Sequence, residues 1–150
     1  MITYRYEELR HDDALLKKLT GYKPSEFEAL HYHFEHFWQA HFSKFTLDGM
    51  PRFRQASIRR NSIFPDSRDA LLFGLIYLKG QINQAELALS FGIDQPKASK
   101  YLSLIERLLG QVLESAPRVI SKRKQEEIRN ILKRDYLPTS LGYKKISPKN

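Results

Sequence analysis

Five side chains near the start of one segment, Gln95, Lys97, Ser99, Lys100 and Ser103, are of the types that hold or read a nucleic acid. Lysine donates to phosphate oxygens, serine reaches phosphates or base edges, and glutamine can pair with the major-groove edge of adenine through two hydrogen bonds. Between them Ala98, Tyr101, Leu102, Ile105, Leu108, Leu109 and Val112 recur at i, i+3, i+4, i+7 spacing, an apolar stripe on one side of a helix. The five polar residues are left towards solvent. The chemistry they suit is recognition, with Gln95 the best candidate for a base edge.

The segment that positions them runs from Asn83 to Leu113 and reads as two helices joined by Gly92-Ile93-Asp94. Asn83 is an N-cap, with Glu86 three residues on to complete a capping box. The first helix, Gln84 to Phe91, stops at Gly92, a residue type that accepts a left-handed backbone. Asp94 caps the second helix. Leu87 and Phe91 face inward, Ile93 plugs the turn, and Ala88 keeps the crossing close. A short helix, a glycine turn and an amphipathic second helix form a helix-turn-helix. The same outline also fits a helical hairpin that is only a packing device.

The net charge of +8 is unevenly distributed. Residues 44–68 carry six basic and two acidic side chains, and residues 118–150 carry ten and three. The stretches 1–43 and 69–117 are slightly acidic. Positive segments thus flank a nearly neutral middle, an arrangement that can track a phosphate backbone in a salt-dependent way. Arg52, Arg54, Arg59 and Arg60 in the first segment, and Lys122, Arg123 and Lys124 in the second, are candidate phosphate contacts.

The remaining elements are helical in period. A first helix covers about Glu7 to Leu19, with Leu9, Leu15, Leu16 and Leu19 apolar, and Gly21 ends it. A second opens at Pro24 or Ser25, with Ser25 and Glu28 as a capping box, and runs to about Phe42. Its Phe27, Leu30, Phe34, Phe37, Trp38 and Phe42 make an aromatic packing face. His33 and His36 lie on its polar side, but without a His-Glu-x-x-His spacing or any cysteine they do not make a metal site. His31 and His41, near the aromatic stripe, read as packed or hydrogen-bonded residues. Asp66 or Ser67 caps a nearly all-apolar helix through Lys79, the buried support of the helix-turn-helix. After Pro117, Ser121 caps a basic helix from about Lys122 to Arg134, and the tail from Pro138 is expected to be disordered. No strand is expected. The fold class is all-α: a helical bundle containing a helix-turn-helix, with a basic C-terminal helix and a flexible tail. The organisation is 1–43 as an N-terminal helical segment, 44–65 as a basic connector, 66–117 as the helix-turn-helix domain, and 118–150 as basic helix and tail.

Composition excludes several classes. The 150 residues contain no cysteine, so neither disulfides nor thiolate metal sites arise. Mean hydropathy is −0.52, and no apolar run approaches the roughly 18 to 20 residues that span a bilayer. The N-terminus lacks the apolar core of a signal peptide, so a cytoplasmic setting is expected. No nucleophile, metal set or phosphate loop is visible. The sequence offers no catalytic residue, cofactor site or metal ligand.

Two blocks, LTGYKPSEFEALHYHFEHFW and SRDALLFGLIYLKGQINQAELALSFGIDQPKASKYLSLIERLLGQVL, with the arginine-rich connector between them, resemble the N-terminal region of DDE-type insertion-sequence transposases of the family named after insertion sequence five. Leu71–Lys79 stands where that family has its leucine-rich helix, and Phe91–Tyr101 stands at its Phe-Gly-Ile/Val element and second-helix start. Ala98 departs from the β-branched residue frequent there but remains small and apolar. The resemblance implies sequence-specific binding of double-stranded DNA at transposon terminal repeats. It also implies a ribonuclease-H-like domain with three metal-holding carboxylates, and Glu114, Glu126, Glu127 and Asp135 have no strands to arrange them so. Catalysis is therefore expected from a separate or frameshift-fused DDE domain. Some relatives split the gene into two frames, and Tyr143-Lys144-Lys145-Ile146 is compatible with such a shift. The alternative is a stand-alone helix-turn-helix transcriptional regulator, a homodimer through the aromatic helix 27–42.

Overall fold

The computed structural model describes residues 4–47, 49–51, 63, 64, 66–139 and 142–145, with side chains described up to residue 130. The fold is all-α. Among the described residues the α-helices are α1 (Tyr6–Leu9), α2 (Asp13–Thr20), α3 (Pro24–Lys44), α4 (Ser67–Leu78), α5 (Gln84–Phe91), α6 (Gln95–Ser115) and α7 (Lys122–Asp135), with a 3-10 turn at Pro117–Val119. None of these helices is long and apolar enough to cross a membrane.

Local chemistry sets most of the boundaries. The single helix expected over 7–19 is two, because Asp12 leaves the helical backbone and accepts from Leu15 N–H to cap α2. Gly21, at φ +79°, ends α2. At α3 the capping carboxylate is Glu26, which accepts from Lys23 N–H at 2.9 Å, and not Glu28. Glu28 instead takes a two-pronged hydrogen bond from Arg68 (2.9 and 3.1 Å) and one from the Tyr6 hydroxyl. Asp66 caps α4 by accepting from Arg68 N–H.

The centre of the molecule is α4. Every residue from Asp69 to Ile76 is buried, and the helix packs against α1, α2, α3, α5 and α6. Gly74 is the point of closest approach: a Cβ there would stand 2.4 Å from Ile105 Cγ2 of α6. The aromatic face of α3 closes the other side. Phe27, Leu30 and Phe34 are fully buried, each removal from water worth about 1.5–3 kcal/mol. Trp38, Phe64, Phe73, Phe91 and Tyr101 continue as a cluster with ring centroids 4.8–6.5 Å apart. Helices of 1–43 and of 66–117 therefore share one core, and α3 joins α4 in supporting the helix-turn-helix.

One expectation fails at the C-terminus. Tyr136–Thr139 and Gly142–Lys145 pair as a short antiparallel hairpin, β1 and β2, where a disordered tail with no strand was anticipated. That expectation rests on the low hydrophobic content of the tail from Pro138. In a two-stranded ribbon each strand has an unpaired edge, so a proline there need not break the pairing.

Candidate nucleic-acid interface

The motif begins with a firm cap. Asn83 accepts from Glu86 N–H at 2.8 Å, and its amide donates to the Glu86 carboxylate at 3.1 Å, so the box closes side chain to side chain. Gly92 has φ +69°, the left-handed region. Ile93 N–H then donates to Ala88 C=O and Gly92 N–H to Leu89 C=O, a Schellman closure. Asp94 accepts from Lys97 N–H at 2.8 Å and starts α6, with Pro96 in its first turn.

Helix α6 has two unlike halves. From Leu104 to Leu113 only Arg107 and Gln111 escape burial, because α3, α4 and α7 pack around it. From Gln95 to Lys100 only Ala98 is buried and Ser99 half-buried; Gln95, Pro96, Lys97 and Lys100 are exposed. Ser103 is half-buried, and its hydroxyl donates to Ser99 C=O at 3.0 Å, which commits its proton to the helix backbone. The seven residues expected as the apolar stripe are all buried. So are Leu104, Glu106, Gly110 and Leu113, on faces that a one-stripe periodicity leaves outside the core.

The other candidate contacts are placed differently. Arg52, Arg54, Arg59 and Arg60 lie outside the described residues. Lys122 and Arg123 are exposed at the start of α7, with Arg123 Nε 4.0 Å from Glu127. Lys124 is engaged within the molecule: its ammonium donates to Gly21 C=O and lies 3.7 Å from the Tyr22 ring centroid. As a contact for DNA phosphate it is therefore a poor candidate, since its side chain fastens α7 to the α2–α3 turn.

One residue escaped the sequence reading. Gln84 Oε1 accepts from Gln95 Nε2 at 3.4 Å, so the first residues of α5 and α6 meet at the outer surface. The signal was present: Asn83-Gln84 and Asp94-Gln95 are the same cap-plus-glutamine pair repeated eleven positions apart. Leu89, 62% exposed on α5, is an apolar side chain on the outside of the motif.

The histidines are structural or peripheral. His31 is buried, with Nε2 2.7 Å from Ser67 Oγ, and His41 Nε2 is 2.9 Å from Thr46 C=O. Burial, reinforced by the Arg68 guanidinium, holds His31 below its ordinary pKa. Nearby, hydrogen bonding from Arg68 holds the Glu28 carboxyl below the carboxylate range, and burial with the Glu28 charge pushes the Tyr6 phenol up to about 12. Tyr6 N–H also donates to the buried Asp69. These groups tie α1, α3 and α4 together. Among the described residues no group of three His, Cys, Asp or Glu side chains is placed to hold a metal.

No protein-family model, curated protein or solved structure matches this chain.

Proposed function

We propose that the chain is a sequence-specific DNA-binding unit, with α6 entering the major groove and α5 lying across it. The observation that carries this reading is the division of α6: its rear half is encased in the core, and its first turns project with Gln95, Lys97 and Lys100 exposed. A helix that only packs would gain by covering those turns; one that reads DNA must leave them open. Gln95 would meet a base edge, Lys97 a phosphate, and Ser99 and Lys100 bases or phosphates. The basic segment 44–68 would add phosphate contacts outside the groove.

The resemblance to insertion-sequence transposases makes terminal repeats of a transposable element the proposed target. Strand cutting would fall to a DDE domain on another segment or polypeptide. For the regulator alternative, the aromatic face offered for dimerisation is consumed inside the chain, since Phe27, Leu30 and Phe34 are fully buried and Trp38 is 9% exposed.

The deciding experiment is selection from a randomised duplex pool at moderate salt, followed by electrophoretic mobility with the enriched and scrambled duplexes. A convergent motif bound at least tenfold (about 1.4 kcal/mol) more tightly than its scramble supports the reading. No shift of any duplex at low salt would leave the helix-turn-helix as a packing device.

A further inference from the structure

The α2–α3 turn, the end of α4 and the start of α7 enclose a cleft of about 370 Å³. Lys79, Arg123 and Lys124 open onto it. A Cβ at Gly21 would stand 3.7 Å from Lys79 Nζ and 3.8 Å from Lys124 Cε, so two lysine chains converge over this glycine. Lys17 bears on Lys124 as well, and the facing acids are Glu26 and Glu127. Four cations therefore meet two carboxylates.

Helices α2 and α4 both end here, and helix C-termini attract lysines. Lys124 meets that need through Gly21 C=O. Lys79 and Arg123 are exposed and add charge beyond it. Burial pulls the Lys124 ammonium below its ordinary pKa, with Glu26 and Glu127 opposing the shift and Lys79 and Lys17 adding to it. Arg123 and Glu127 are 4.0 Å apart with side chains 92% and 58% exposed, a loose pair that a multivalent anion can displace. Beneath the cations Leu75, Leu78 and Ile128 supply an apolar floor, and the volume falls within the range of small-molecule sites.

We propose that this cleft binds a phosphate group, held by Lys79 and Arg123. The phosphate belongs either to a small phosphorylated ligand whose body rests on the apolar floor or to a DNA backbone. The site stands apart from α6 and does not require that α6 read DNA.

The test is a titration of the ¹⁵N-labelled full chain with inorganic phosphate, at ionic strength held constant with chloride. Saturable shifts at the amides of Gly21, Tyr22, Lys79 and Arg123 are expected. The double variant Lys79→Ala/Arg123→Ala should bind about tenfold more weakly with an unchanged melting temperature, whereas Lys124→Ala is avoided because it removes the anchor of α7. Adenosine monophosphate and a short duplex of arbitrary sequence separate the sources. Tighter binding of the nucleotide without competition from the duplex identifies a small ligand, and displacement of phosphate by the duplex identifies the backbone. Non-saturating shifts reproduced by chloride alone, or wild-type affinity in the double variant, would overturn the proposal. Because the phosphate arm contains no DNA, it can fail while α6 still binds its target, and the reverse.

Discussion

The indole of Trp38 lies nearly parallel to the ring of Tyr101, with centroids 6.5 Å apart and planes inclined by 16°. Trp38 belongs to α3 and Tyr101 to the second turn of α6, so the aromatic helix braces α6 just behind its exposed turns. Phe42 and Phe64 pack on the same indole at 4.7 and 6.5 Å. Trp38→Ala should cost about 3–5 kcal/mol, the range for deleting a buried aromatic. Urea denaturation measures it; a loss under about 1 kcal/mol would mean that α3 is not a brace for α6.

Gly74 inverts the usual rule for a helical glycine. In a helix interior Gly→Ala ordinarily stabilises by about 0.5–1 kcal/mol. At Gly74 the new methyl would stand 2.4 Å from Ile105 Cγ2 and force α4 and α6 apart. Gly74→Ala should instead destabilise by about 1–3 kcal/mol, and adding Ile105→Val should recover part of it. Thermal melts of the two variants decide the matter: a raised melting temperature for Gly74→Ala would disprove the close crossing.

His31 gives the fold a pH dependence with a defined sign. Its native pKa lies below the ordinary 6.5, chiefly through burial, so between the two values the unfolded chain binds more protons than the native one. The stability that His31 contributes is full above about pH 6.5 and is lost as pH falls through its lowered native value. Glu28, Glu35 and Asp66 oppose the shift and Arg68 reinforces it. Glu28 and Asp69 carry shifts of their own, lowered and raised respectively, so the informative quantity is wild type minus His31→Gln. That difference should shrink as pH falls below 6.5. A difference constant with pH would mean that His31 titrates alike in both states.

The extent to which the fold was legible depended on whether the signal was local. Asn83, Gly92 and Asp94 announce α5, its turn and α6, and the structure keeps all three in those roles, because caps and left-handed glycines are decided within four residues. The stripe from Ala98 to Val112 was visible for the same reason. Leu104, Glu106, Gly110 and Leu113 were not, since their burial comes from helices distant in sequence, and Phe64 gave no periodic signal because it stands alone before α4. Lys124 looked like any lysine of a basic helix; that it reaches Gly21 depends on a contact 103 residues away. The pairing of Tyr136–Thr139 with Gly142–Lys145 was hidden by the low hydrophobic content of the tail, since backbone hydrogen bonds can pair a two-stranded ribbon that has no apolar period.

Under the proposed function, the exposed turns of α6 would make two kinds of contact that respond differently to mutation. Gln95 has an amide with donors and an acceptor, and Gln84 takes one of its donors at 3.4 Å, which orients the remaining edge. Gln95→Ala should relax preference at one base position, costing about 1–3 kcal/mol on the selected duplex and little on scrambled DNA. Gln84→Ala should shift the same position by less, because it frees the Gln95 side chain without removing it. Lys97→Ala carries no base information in this scheme. It should weaken selected and scrambled duplexes alike and reduce the slope of log affinity against log salt by about 1. Measuring the three variants on both duplexes across a salt series separates the roles. Uniform weakening by Gln95→Ala, or a base-specific effect from Lys97→Ala, would require α6 to sit in the groove by a different face.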